Sequence, residues 1–306
     1  MTDQQRTGRT SGRTGRRARP AAGAVLLATV LAGAAALAGC SPDAVDGAGD
    51  AAADQRASGT PERLAADPLT AVRSAADITG RSGSAHATTE LVTESAEKKA
   101  VFTGSGGYDY VKRIGRLEVQ VPPGAATTGK IVEVLLPGTV YLQNSGAKVP
   151  EGKWVKLDVR QLPDGNLVSG GATDPSSAAG ALRGAQKAEP VGTETVGGVA
   201  LKHYRGTLDL AKAADATGGR GGDGLRMGAQ TFTVKEVPYD VWLDDEGRLH
   251  KVVEVFTFAG VAGSKEAKDQ VKVVSTTTLS DFGAPVEAAE PPAADIFAMK
   301  PTESPK

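Results

Sequence analysis

Cys40 is the only cysteine among 306 residues, and this limits how the chain can hold a fold together. Without a second cysteine there is no internal disulfide, so any folded unit must be stabilised by its core. Hydrophobic residues are 40% of the chain but aromatics only 4%, so that core must rely on Val, Leu and Ile among many Ala and Gly. The position of Cys40 is equally informative. It closes the apolar run Ala21–Leu37, which follows an arginine-rich stretch ending at Arg19-Pro20.

A basic n-region, an apolar h-region and small residues before a cut form the layout of an export signal. The arginines are expected to stay on the cytoplasmic side. Leu37-Ala38-Gly39-Cys40 resembles the bacterial lipobox. That resemblance implies a thioether-linked diacylglycerol on Cys40, with acyl chains such as palmitate, and cleavage that leaves Cys40 as first residue. Residues 1–39 are then a lipoprotein signal peptide, and the mature chain is anchored on the extracytoplasmic face of the cell membrane. The competing reading is an uncleaved anchor helix, although the run is short for a span of about 20 residues. Arg16-Arg17 leaves twin-arginine export open beside the general route.

Six arginines and Asp3 precede Cys40, so totals of 35 basic and 36 acidic residues become 29 and 35 in the mature chain, a net of −6. A mildly acidic domain has no electrostatic reason to bind nucleic acid, and none is expected as a partner.

Residues 40–64 are Ala, Asp, Gly and Ser without apolar period and read as a flexible tether, spanning roughly 25–30 Å as a random coil. A domain over 65–285 follows, and 286–306 reads as a loosely ordered tail. Asp67-Pro68 predicts a helix start, with Asp as N-cap and Pro at the first helical position, and Gly80 a stop. Strands are predicted at Ala85–Glu94, Ala100–Tyr110, Arg116–Val121, Lys130–Leu136, Thr139–Gln143 and Trp154–Leu157. Leu117, Val119 and Val121 alternate cleanly with Glu118 and Gln120. A second Asp-Pro helix begins at Asp174 and ends near Gly184. Glu189–Val196 and Val199–Leu208 form a hairpin through Gly197-Gly198. A short helix fits Asp209–Ala216, and the glycine-rich Thr217–Gly224 reads as a mobile loop. Val237, Tyr239, Val241 and Leu243 share one face of a strand that returns as Leu249–Phe258. A last strand runs from Gln270 to about Asp281. Consecutive hairpins imply an antiparallel sheet, and few separate helices imply an α+β class. So many strands must curl, which predicts a half-barrel with a few helices across its concave side.

Several features together carry a family resemblance. They are the lipobox, the acidic tether, the Asp-Pro helices at Asp67 and Asp174, and Gly152-Lys153-Trp154-Val155 on a mid-chain strand. To these are added the late hairpin Pro238–Leu249 and the ending Leu279-Ser280-Asp281-Phe282-Gly283. Over roughly Leu64 to Ile296 the chain resembles the actinobacterial LppX/LprG-type lipoproteins, which are LolA-like. The resemblance implies a half-barrel whose sheet/helix cavity binds an acyl lipid, possession of a carrier role, and an envelope transport partner. Val119, Leu135, Leu142, Tyr239, Val241 and Phe256 are the candidate cavity lining on that reading. The Thr217–Gly224 segment looks like an insertion relative to the family.

No catalytic constellation stands out. His86, His203 and His250 are far apart, each expected as a partly exposed strand residue, and they lack metal-ligand spacing. There is no Gly-x-Ser-x-Gly elbow or phosphate loop. Asp244-Asp245-Glu246-Gly247 reads as a hairpin turn and lacks the twelve-residue calcium pattern. No cofactor and no enzyme activity are expected. The alternative to a lipid carrier is a surface scaffold or sensor with a filled core that recognises an envelope partner.

Overall fold

The computed structural model describes residues 67–95, 99–123, 129–145, 149–168, 172–258 and 270–298. The chain divides into units Met1–Thr60 and Pro61–Lys306, and every described residue belongs to the second. The signal peptide, Leu37, Ala38, Gly39, Cys40 and the whole of the tether lie outside the described residues.

Eleven strands form one antiparallel sheet that does not close, and four helices cover one face of it. The expected α+β curled sheet is what is seen. In chain order, helix α1 (Pro68–Arg81) leads into β1 (Ser84–Glu94), β2 (Lys99–Asp109), β3 (Ile114–Gln120), β4 (Lys130–Leu136), β5 (Thr139–Gln143) and β6 (Trp154–Asp158). Each pairs with its predecessor, so the sheet grows steadily away from β1. The chain then crosses under the sheet through α2 (Pro175–Ala181) and begins again at the far edge. From there β7 (Ala185–Val196), β8 (Val199–Asp209), α3 (Leu210–Thr217), α4 (Gly219–Thr231), β9 (Glu236–Leu243), β10 (Leu249–Phe258) and β11 (Val271–Ser280) work back. Strand β11 ends beside β1, in register from His86↔Ser280 to Glu94↔Lys272.

Three helix starts follow directly from sequence. Asp67 accepts the Thr70 N–H at 3.1 Å, Asp174 accepts the Ser176 N–H at 2.8 Å, and Asp209 accepts the Ala211 N–H at 2.8 Å. Each satisfies a backbone donor that the first helical turn leaves free. Strand alternation then decides the layers. Gly115, Leu117 and Val119 of β3 and Val237, Tyr239, Val241 and Leu243 of β9 point to the inner face, beneath the helices. The turn after β9 is the expected hairpin. Gly247 N–H donates to Asp244 O at 3.0 Å, and the Asp244 carboxylate accepts from Arg248 N and Nε at 2.8 and 2.7 Å.

Strand β4 is buried on both faces. Ile131, Glu133 and Leu135 look inward, while Val134 joins Tyr141 and Trp154 in a small second core on the outer face. The C-terminal segment covers that core. Ala288 and Ile296 pack on it, Tyr141 donates to Glu290, Lys153 donates to Asp295 at 2.9 Å, and Phe297 N–H donates to Trp154 O at 2.8 Å. As far as Ala298, the segment expected to lie loosely therefore makes these contacts, and it forms a single parallel bridge to the edge strand β6, between Trp154 and Ile296.

Thr217–Gly224 is not a mobile loop: from Gly219 onward it is the first half of α4. Its glycines are there for close approach. A Cβ on Gly222 would lie 2.4 Å from Ala214 O, one on Gly224 2.7 Å from Gly165 O, and one on Gly228 2.5 Å from Leu167 Cδ1. Local propensity is overridden by packing between α3, α4 and the segment after β6.

Glycine to alanine inside a helix ordinarily stabilises by about 0.5–1 kcal/mol. That sign is expected for Gly180→Ala in α2, where the nearest atom to the new Cβ is 3.4 Å away on the Arg183 guanidinium. Gly222→Ala, against a backbone oxygen, is expected to destabilise by about 1–3 kcal/mol. Thermal melts of the two variants check the opposed signs.

Candidate functional site

The inner face of the sheet carries the candidate site. Val119, Leu135, Leu142, Tyr239, Val241 and Phe256 all reach it, none is more than 8% exposed, and all belong to one continuous core. The structure thus places the six in one packed interior. Of the described cavities, the one touched by Leu135 holds about 20 Å³. The largest, about 630 Å³, opens on the other side, among Thr88, Glu90, Ser105, Glu118, Lys251 and Thr278 of the outer face.

The layer over the inner face carries many small side chains beside Leu182, Leu210 and Leu225. Helix α1 presents Val72, Ala75 and Ala76, α2 presents Ala178, Ala179 and Ala181, and α3 presents Ala213 and Ala214. Few polar links tie this layer to the strands. Thr79 Oγ1 accepts the Leu249 N–H at 2.9 Å, Arg73 Nε donates to Ala185 O at 2.8 Å, and the Thr173 and Ser275 hydroxyls meet at 2.6 Å.

Two acids are buried in this apolar setting, and reasoning from sequence missed both. Glu133 on β4 and Glu254 on β10 are 0% exposed. Glu133 Oε1 accepts from Asn166 Nδ2 at 2.9 Å, while Oε2 has no partner. Burial pushes its carboxyl up to about 8; the Asn166 hydrogen bond offsets part of the rise and nearby Asp174 adds to it. Both oxygens of Glu254 lack a partner, and burial alone pushes this carboxyl up to about 8. Thr89 Oγ1 and Thr277 Oγ1, also buried, are unpartnered as well. Each such group costs on the order of 1–3 kcal/mol relative to a satisfied one. The signal was available: Glu254 shares its parity with Val252 and Phe256, and Glu133 with Ile131 and Leu135.

The histidines are placed differently from expectation in one case. His86 is partly exposed and lies 3.1 Å from Ser105 Oγ, and His250 lies 3.0 Å from Asp244 Oδ2. His203, by contrast, is 4% exposed. It stacks on Trp242 at 4.2 Å, with Glu194 on Nδ1 and Asp240 on Nε2, each at 2.7 Å. The hairpin β7–β8 carries Glu194 and His203 to the outer face of β9, which explains the burial. Both ring nitrogens are occupied by carboxylates, so neither is left to move a proton for a substrate. Among the described residues no group of three or more His, Cys, Asp or Glu could hold a metal ion. Among them also, no helix is long and apolar enough to cross a membrane.

Comparison with known proteins gives likeness of fold. LprF from Mycobacterium bovis is 15% identical, with 73% of this chain and 96% of that one covered and a TM-score of 0.40. The Mycobacterium tuberculosis lipoprotein LppX is 12% identical over 72% and 97%, with a TM-score of 0.42. A LolA superfamily protein from Nitrosomonas europaea is 10% identical over 71% and 95%, with a TM-score of 0.30. No protein-family model and no curated sequence matches the chain. At such identities and TM-scores the likeness says nothing about a family or a ligand.

The buried acids set a pH dependence. Both carboxyls are held neutral in the fold up to about pH 8, whereas an unfolded chain ionises them near the ordinary value of 4.5. Their contribution to stability is therefore full below about pH 4.5 and is lost as pH rises to about 8. Glu254→Gln is expected to flatten that fall and to raise the Tm at pH 8 by several degrees, at about 2–4 °C per kcal/mol for a domain of this size. Melting curves from pH 5 to pH 8.5 check it; a wild-type Tm that climbs across that range opposes it.

Proposed function

We propose that the chain is an exported lipoprotein that takes an acyl lipid between its curled sheet and the helices laid over it, and acts as a lipid carrier in the cell envelope. The anchor is the diacylglyceryl group on Cys40, with residues 41–64 as the tether between membrane and domain. The observation that carries the ligand reading is the make-up of the covering layer. A wide inner face lined by Val119, Leu142, Val241 and Phe256 is covered chiefly by Ala, Gly and Ser from α1, α2 and α3. Each buried methylene contributes about 0.8 kcal/mol, so an alanine-rich cover holds far less tightly than a leucine-rich one. Acyl chains that replace those contacts can part the layer at low net cost. The partner that delivers or receives such a lipid would be an envelope transport component.

A second reading, a filled-core scaffold or sensor that meets a partner on its surface, is supported by a different observation. The inner face is packed, and the largest of the described clefts is hydroxyl-rich and on the outer face.

Native mass spectrometry on Pro61–Lys306 produced in bacteria separates the two. Co-purified masses that match di- or triacyl lipids and leave on denaturation are expected for the carrier. A clean apo mass that takes up no added lipid favours the scaffold. The anchor is checked separately: Cys40→Ala is expected to move the protein from the membrane to the soluble extracytoplasmic fraction and to abolish labelling by an alkyne fatty acid.

A further inference from the structure

The polar atoms left over in the inner face lie together. Glu254 stands opposite Ser275 across β10 and β11, and Thr277 stands opposite Thr89 across β11 and β1. Glu254, Ser275, Thr277 and Thr89 share the inner parity of their strands and are at most 3% exposed. Directly opposed side chains have Cβ atoms about 5 Å apart and diagonal ones about 7–8 Å apart. Four unpartnered atoms, Glu254 Oε1 and Oε2, Thr89 Oγ1 and Thr277 Oγ1, therefore fall within about two strand spacings, or ~10 Å. Ser275 beside them is held by Thr173, whose hydroxyl also donates to Leu167 O at 2.8 Å.

The site has a defined surround. Ala87, Leu91, Val252, Phe256 and Leu279 flank the polar atoms on the same face. Beside them Gly104 of β2 faces Thr89, and a Cβ there would lie 2.5 Å from Thr89 Oγ1 and 3.2 Å from Ala172 Cβ. The absent side chain at Gly104 is what leaves the Thr89 hydroxyl its space.

This chemistry selects a ligand class. Two threonine hydroxyls each donate and accept, and a protonated carboxyl does both. A hydroxyl group on a ligand can satisfy several of them at once. A phosphate would bring an anion against a carboxyl in a low-dielectric interior, which is unfavourable. An ester-only headgroup accepts hydrogen bonds but donates none.

We infer that Thr89, Thr277 and Glu254 form a polar subsite in the inner face that receives the free hydroxyl of an uncharged acylglycerol, while its acyl chains lie along the flanking apolar residues. The inference rests on the carrier reading and names its substrate class: diacylglycerol is taken in preference to triacylglycerol, which has no free hydroxyl, and to anionic phospholipid.

The test loads the full chain carrying Cys40→Ala with vesicles that contain dioleoylglycerol, trioleoylglycerol or dioleoylphosphatidylglycerol, and weighs retained lipid after repurification. About tenfold preference for dioleoylglycerol over the other two is expected, the equivalent of one well-made buried hydrogen bond. Thr89→Val with Thr277→Val is expected to bring the ratio near one while trioleoylglycerol retention is unchanged. Glu254→Leu is expected to lower it likewise, and Glu254→Gln, which keeps a donor and an acceptor, to restore it. Melting curves confirm that each variant is folded. Equal retention of dioleoylglycerol and trioleoylglycerol by the unsubstituted site, or variants that keep the preference, overturns the subsite alone and leaves water as its occupant. Retention of none of the three lipids overturns the carrier reading and the subsite with it.

Discussion

The pairing of β1 with β11 is the contact on which the rest of the structure depends. It joins strands from opposite ends of the fold, with His86 facing Ser280 and Glu94 facing Lys272. Each other strand pair is made between strands next to each other in the chain. Without this seam there would be two separate meanders, β1–β6 and β7–β11, each with a bare edge. Pairing at such sequence separation is made against a large loop-closure cost, so it is the slow part of assembling the sheet. The polar cluster sits on this seam, since Thr89 and Thr277 are partners across it.

The seam also fixes where the open edges fall. They are β6 and β7, at opposite ends of the strand order, and the chain manages them differently. Strand β6 is covered by the C-terminal segment through Trp154, Ile296 and Phe297. Strand β7 is exposed for most of its length, and carries Lys187, Glu189, Pro190 and a register shift between Pro190 and Gly192. Charge, proline and irregular register are all features that discourage another strand from adding there.

How much of this was legible in the sequence follows from which signals are local. Asp-Pro at 67 and 174, Gly197-Gly198 and the alternation of Val237–Leu243 act through their own neighbourhood, and the strands and helices they predict are present. The glycines of α4 were misread because their reason is distant: Ala214 and Gly165 approach from other segments. The same is true of His203, whose burial comes from Glu194 on the paired strand and Trp242 on the next. The six candidate lining residues all lie on the inner face of the sheet. That the face would be packed could not be read locally, because it depends on helices brought in by the crossover after β6. The acids were overlooked for another reason. Parity puts Glu133 and Glu254 inside, but the habit of expecting glutamate at the surface weighed against it.

Those two acids reach the same depth by different routes, and the contrast separates structure from function. Glu133 meets Asn166, whose segment Asp164–Val168 is turned on itself by Val168 N–H donating to Asp164 Oδ2 at 2.7 Å. It thereby helps to fix Asp164–Val168 against the sheet, which is reason enough for an inward acid on β4. Glu254 has no such return: no hydrogen bond reaches either oxygen, and no nearby charge alters its protonation. A leucine there would fill similar space without the desolvation penalty, and removing a buried unpaired polar group generally stabilises a core. An unpaired acid at this position, beside the unpaired Thr277 and Thr89, therefore lowers the stability of the empty fold. Such a cost is characteristic of groups arranged for something other than the core itself.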